Sequence, residues 1–129
     1  MTPFTPANDI EVALVQAQRK EIPLQGFIAK LVTADLALPS GREVLADGSG
    51  FQPVLFDKNG VNMVAVFTDK ARVRASSCAT FFCLTMNAMS LFKRMPREYG
   101  IVINPGFEAG LDISPTGIGE IVRDFSKAA

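Results

Sequence analysis

Histidine is absent from the 129 residues. With it go Ser-His and Cys-His nucleophile pairs, imidazole metal ligands and the side chain that ordinarily titrates near neutral pH. The chemistry left to the chain rests on two cysteines, thirteen acidic and thirteen basic side chains. Cys78 and Cys83 enclose four residues, Ala79 to Phe82, which makes neither a CxxC redox pair nor half of a zinc site, so both read as reduced packing residues. Glu108 and Asp112, with Gly110 between them, have the spacing of neither an acid/base pair nor a metal loop. The glycines of Ser40-Gly41-Arg42-Glu43 and Asp47-Gly48-Ser49-Gly50 lack the Lys-Ser/Thr that follows in a phosphate loop. No catalytic residue, metal ligand or cofactor is therefore expected, and an enzyme is the less favoured class.

Binding is better served. The formal charge sums to zero, which disfavours generic attraction to nucleic acid or an anionic bilayer, but it is unevenly placed. Residues 1–69 carry five basic and eight acidic groups, 70–97 six basic and none acidic, and 98–129 two basic and five acidic. Lys70 and Arg74 share a helix face at i, i+4, while Lys93, Arg94 and Arg97 fall at the end of another helix, where cations suit the dipole. One reading is a basic patch that docks an acidic protein or small anion; the competing reading is neutralisation by acids from the flanking segments. Asn104, Pro105, Gly106 and Phe107 form a turn just past an apolar run, and because ligands meet α/β sheets at such loops they are also a candidate binding rim.

These residues need elements to hold them. Asn8 or Asp9 caps a helix running to about Lys20, with Ile10, Ala13, Leu14 and Ala17 as its core stripe. Val12 and Val15 fall on the other side beside Glu11 and Arg19, so this helix is apolar on two sides, and Val12 and Val15 are the candidate face of a homodimer. Pro23 opens a second helix carrying Leu24, Phe27, Ile28 and Leu31, followed by a short strand at Leu36-Ala37-Leu38-Pro39. The polar, Gly-rich stretch 40–52 reads as a mobile loop of functional length. Asn59-Gly60 between the apolar runs 53–57 and 61–67 predicts a tight hairpin.

Thr68 is expected to cap a short helix from Asp69 to about Arg74. The 18 residues from Ala75 to Phe92 carry no charge, about the minimum for a membrane helix. Ser76, Ser77, Thr80, Thr85, Asn87 and Ser90 are explained instead by a strand at about Thr80 to Met86, covered on both faces, and a helix capped by Asn87 and stopped by Pro96. A short buried strand over Tyr99 to Ile103 and a last helix opened by Ser114-Pro115, with Ile118, Ile121, Val122 and Phe125 inward, complete the chain.

In order and spacing, Gly26-Phe27-Ile28-Ala29-Lys30-Leu31 with Ala37-Leu38-Pro39, then Val64-Ala65-Val66-Phe67-Thr68, then Ile101-Val102-Ile103-Asn104-Pro105-Gly106 resemble the N-terminal domain of the SseB family, named for enhanced serine sensitivity in bacteria. The resemblance covers nearly the whole chain. It implies a cytoplasmic bacterial α/β domain of unestablished biochemical activity, with no catalytic residues to carry over. Longer members carry a C-terminal domain whose counterpart is not expected in these 129 residues. The combined expectation is one α/β domain over residues 1–129 (α+β as the alternative), with a mixed sheet of about five strands and flanking helices. Its expected role is a non-catalytic protein-interaction or regulatory module that takes a protein partner of acidic character and forms a homodimer, with no nucleic acid and no membrane. The alternative is a small-ligand or enzymatic domain using the loop at 104–107.

Overall fold

A computed structural model describes residues 4–47, 49–76 and 82–125. Helix α1 (Asp9–Gln18) starts where the Asn8 side chain accepts the Glu11 N–H, and α2 (Leu24–Leu31) follows Pro23. Strand β1 (Asp35–Ser40) leads through the 41–53 loop to the hairpin of β2 (Leu55–Lys58) and β3 (Val61–Val66). Both turn residues, Asn59 at φ 54° and Gly60 at φ 86°, are left-handed, as the Asn-Gly pair requires. After α3 (Lys70–Ala75) come β4 (Phe82–Asn87), α4 (Ala88–Arg94), β5 (Gly100–Ile103), β6 (Leu111–Ile113) and α5 (Pro115–Phe125). None of the helices among the described residues is long and apolar enough to cross a membrane.

The strands form two sheets. β1 and β4 pair antiparallel, while β2-β3-β5-β6 form a second sheet in which β3 and β5 run parallel and the outer pairs antiparallel. A bridge from Ala37 to Phe67, with both backbone bonds at 2.8 Å, ties the two sheets together. The mixed α/β architecture is as expected, but the described residues form six strands in two sheets. The short strand β6 carries too weak a pattern, Leu-Asp-Ile after a glycine, to stand out alone; it is made by pairing with Ile101 to Ile103.

Alternation along the strands sorts the apolar side chains into two layers. Leu36, Leu38, Val64, Val66, Ile101 and Ile103 meet the inner faces of α1, α2, α4 and α5, whereas Ala37, Met63, Ala65, Phe67 and Val102 lie on the opposite face with Val73 of α3. Gly100 is required by close approach, since a Cβ there would fall on the Ile113 carbonyl and lie 2.7 Å from the Met63 sulfur.

Four local expectations are corrected. The cap of α3 is Asp69, whose carboxylate accepts the Ala71 N–H at 2.8 Å, because Thr68 is drawn inward to other partners. Strand β4 is covered on one face only: Leu84 and Met86 pack inward, while Phe82, Cys83 and Thr85 are exposed at the outer edge of the two-stranded sheet. Cys83 is thus a surface residue rather than a packing one; Cys78, with Thr80 and Phe81 of the expected strand, lies outside the described residues. Glu11, placed by helical spacing beside Val12 on the outer side of α1, is fully buried.

Candidate functional site

Two features stand out. The first is a polar cluster just beyond the carboxyl ends of the parallel strands β3 and β5, where open α/β sheets place their ligands. The Glu11 carboxylate accepts from the Ala7 N–H at 2.7 Å, the Thr68 hydroxyl at 2.5 Å, and Arg72 Nε and Nη2 at 3.0 and 2.8 Å. Burial by itself would raise this carboxyl, but the hydrogen bonds from Arg72, Thr68 and Ala7 outweigh it and hold it below the ordinary glutamate range. Arg72 also donates to the Thr5 carbonyl at 2.6 Å and lies 4.0 Å from the centre of the Phe4 ring. Phe107 meets Phe4 and Phe67 edge to face.

Asn104, at φ 54° and almost wholly buried, closes the cluster. Its amide donates to the Thr68 hydroxyl at 2.9 Å and the Ala109 carbonyl at 3.2 Å, and its carbonyl accepts the Thr68 N–H at 3.1 Å. Among the described residues, no buried side-chain nitrogen or oxygen is left without a partner. The cluster is therefore a closed lock that fastens the segment before α1 to α3 and to the turn after β5. Of the rim candidates, Asn104 is consumed by the lock and Phe107 by the aromatic contacts. Pro105 and Gly106 remain at the surface beside a shallow cleft of about 560 Å³.

The second feature surrounds the carboxyl end of α4. Asn87 caps this helix by accepting the Ser90 N–H at 3.1 Å, and Ala88, Leu91 and Phe92 anchor it to the main core. Lys93 and Arg94 are left outward in the last turn, with Arg97 just after Pro96. A cleft of about 640 Å³ opens between α4 and the 41–53 loop, lined by Phe51, Val64, Leu84, Met86 and Leu91, with Arg94 and Asp47 facing it. A second, of about 530 Å³, lies between α4 and α5 and is lined by Phe92, Ile118, Val122, Lys93 and Arg97. Met95, Pro96 and Tyr99 are walls of both. The loop holds its place because the buried Ser40 hydroxyl accepts the Gln52 N–H at 3.0 Å and donates to the Arg42 carbonyl at 2.6 Å.

The five basic candidates do not converge. Lys70 and Arg74 belong to α3, on the smaller core layer, and Lys93, Arg94 and Arg97 to α4 and its exit, on the other side of the sheet. None of the five makes an ion pair with a described residue, unlike Arg72 with Glu11 or Lys58 with Asp112. Although Cys83 lies at the surface, partial desolvation of its thiol outweighs the pull of Lys70 and Arg74 and raises its pKa above the ordinary range. Val12 is 44% exposed on α1, whereas Val15 is half-buried against the main core. Among the described residues, no three Cys, Asp or Glu side chains come together as metal ligands would.

Residues 10–120 match the SseB protein N-terminal domain. The chain belongs to this family. The match runs from α1 into α5, so the Glu11, Thr68, Arg72 and Asn104 lock and the whole lining of the first α4 cleft lie within the SseB domain, as does the second cleft except for Val122. No curated protein and no solved structure matches the chain.

Sequence reading overlooked the lock and the clefts. Glu11 had a signal, since Asn8 followed three residues later by Glu is a capping-box pattern, and its carboxylate does reach back to an N–H before the helix. Arg72 had none: one cation within a basic run does not announce a buried partner 61 residues away.

Proposed function

We propose that this SseB domain is a non-catalytic protein-interaction or regulatory module of the bacterial cytoplasm, and that it docks an acidic partner at the carboxyl end of α4. The observation that carries the reading is that Lys93, Arg94 and Arg97 are exposed, make no ion pair with a described residue, and stand beside apolar clefts. Charge without a partner inside the fold favours use outside it, and cations next to apolar surface combine orientation with desolvation. The alternative of a ligand at 104–107 draws less support, because the Asn104 amide is already spent on Thr68 and Ala109.

A homodimer through α1 belongs to the same reading, with the exposed Val12 at its centre and Val15 at its edge. The experiment is affinity capture from the native bacterium with the immobilised domain, repeated at rising salt and with the Lys93→Glu, Arg94→Glu double variant. A reproducible partner released by salt within the physiological range and missed by the variant is the expected result. Equal capture by the variant refutes docking at α4.

A further inference from the structure

Resting on that reading and deepening it, we propose that the α4 end binds an extended acidic peptide segment of a partner protein, which seats one large apolar side chain in each of the two clefts. A compact small molecule fits one cleft, since either volume is of the order that holds such a ligand. Two clefts that share the Met95-Pro96-Tyr99 wall call instead for a chain that crosses the wall and carries an anchor on either side.

The lining suits such anchors. Met86 and Met95 are adaptable surfaces for an aliphatic or aromatic side chain, and Leu84, Met86, Met95, Tyr99 and Val122 are all only partly buried. Charge selects the sequence between the anchors. Arg94 faces the first cleft and Lys93 and Arg97 the second, with Asp47 the one acidic residue lining either among the described residues. Carboxylates on the crossing stretch would meet these cations, and a basic stretch would meet like charge. The segment is thus acidic, with two apolar anchors.

The probes are synthetic peptides of aspartate and glutamate carrying two leucines separated by two to six residues, with leucine-to-alanine, single-leucine and lysine-for-acid counterparts. Binding to the full chain is followed by NMR at the methyl groups of Met86, Met95 and Ile118, which report the first cleft, the shared wall and the second cleft. A two-leucine acidic peptide of at least one spacing is expected to shift all three methyls together. Its affinity should fall about tenfold or more with the Arg94→Glu exchange and fall again with salt.

Single-leucine peptides should shift one cleft only, and lysine peptides none. If the alanine counterparts bind as tightly with the same salt dependence, the clefts are idle and this inference fails while the basic docking site stands. If no acidic peptide of any spacing shifts the methyls, the two-anchor segment is wrong whatever the capture experiment finds. If sodium octanoate or anilinonaphthalene sulfonate matches the best peptide in affinity by filling one cleft, the site is a small-molecule pocket and the peptide assignment is overturned.

Discussion

Replacing Arg72 by methionine tests the reasoning about the buried lock. The substitution keeps much of the aliphatic stem but removes two of the four hydrogen bonds that described residues make to the Glu11 carboxylate and its only ion-pair partner among the described residues. It also removes the bond to the Thr5 carbonyl and the stacking on Phe4. Because the Glu11 side chain is 0% exposed and that of Arg72 19%, the exchange strands a carboxylate out of water, for which a cost of about 3 kcal/mol, the lower end of the range for broken buried pairs, is expected. A domain of this size has roughly 5–15 kcal/mol in total, so the melting temperature should fall by about 10–15 °C. Adding Glu11→Gln removes the stranded charge, and the double variant should recover about 1 kcal/mol or more. Urea unfolding of the four proteins closes the cycle. A loss below about 1 kcal/mol for Arg72→Met would class the contact with ordinary surface ion pairs and refute the account of the lock.

Acid should unfold the protein partly through the same carboxylate. Its folded-state value is depressed, so its contribution is complete above the unfolded glutamate value of roughly 4 and is lost as pH falls through the folded value; Glu11→Gln should flatten that part of the stability-pH curve, and an unchanged acid limb would contradict it. Gly100→Ala should cost about 1–3 kcal/mol, because the new methyl meets the Ile113 carbonyl and the Met63 sulfur; a neutral result by thermal melting would mean the backbone there yields freely. Sedimentation at high micromolar concentration should show a dimer that Val12→Glu converts to a folded monomer, and a monomeric unmodified protein would remove the α1 interface.

What the sequence made legible follows from how local each cause is. The Asn59-Gly60 hairpin, the Asn87 cap and the Pro115 helix start depend on neighbours within a few residues, and each is found where spacing put it. Thr68 and Glu11 went the other way for a single reason: Thr68 faces Glu11 and Asn104 across 57 and 36 residues, and that pull outweighs a helix cap and a solvated helix face. β4 reads as doubly covered because Phe82, Cys83, Leu84, Thr85 and Met86 are chiefly apolar or β-branched, yet among the described residues no strand pairs with its other edge. The cations of α4 were legible one by one. Their separation from Lys70 and Arg74, and their place beside two clefts, depend on which sheet face each helix covers, a property of the assembled layers.

The central claim is that Lys93, Arg94 and Arg97 serve binding and not the fold, and it is tested most directly by measuring thermal stability and partner capture together on the Lys93→Glu, Arg94→Glu variant. Since neither residue makes an ion pair with a described residue, the melting temperature should move by no more than about 3–5 °C, the equivalent of about 1 kcal/mol or less, while partner affinity falls about tenfold or more. A strong drop in melting temperature with capture untouched would place these residues in an intramolecular charge network and contradict the account.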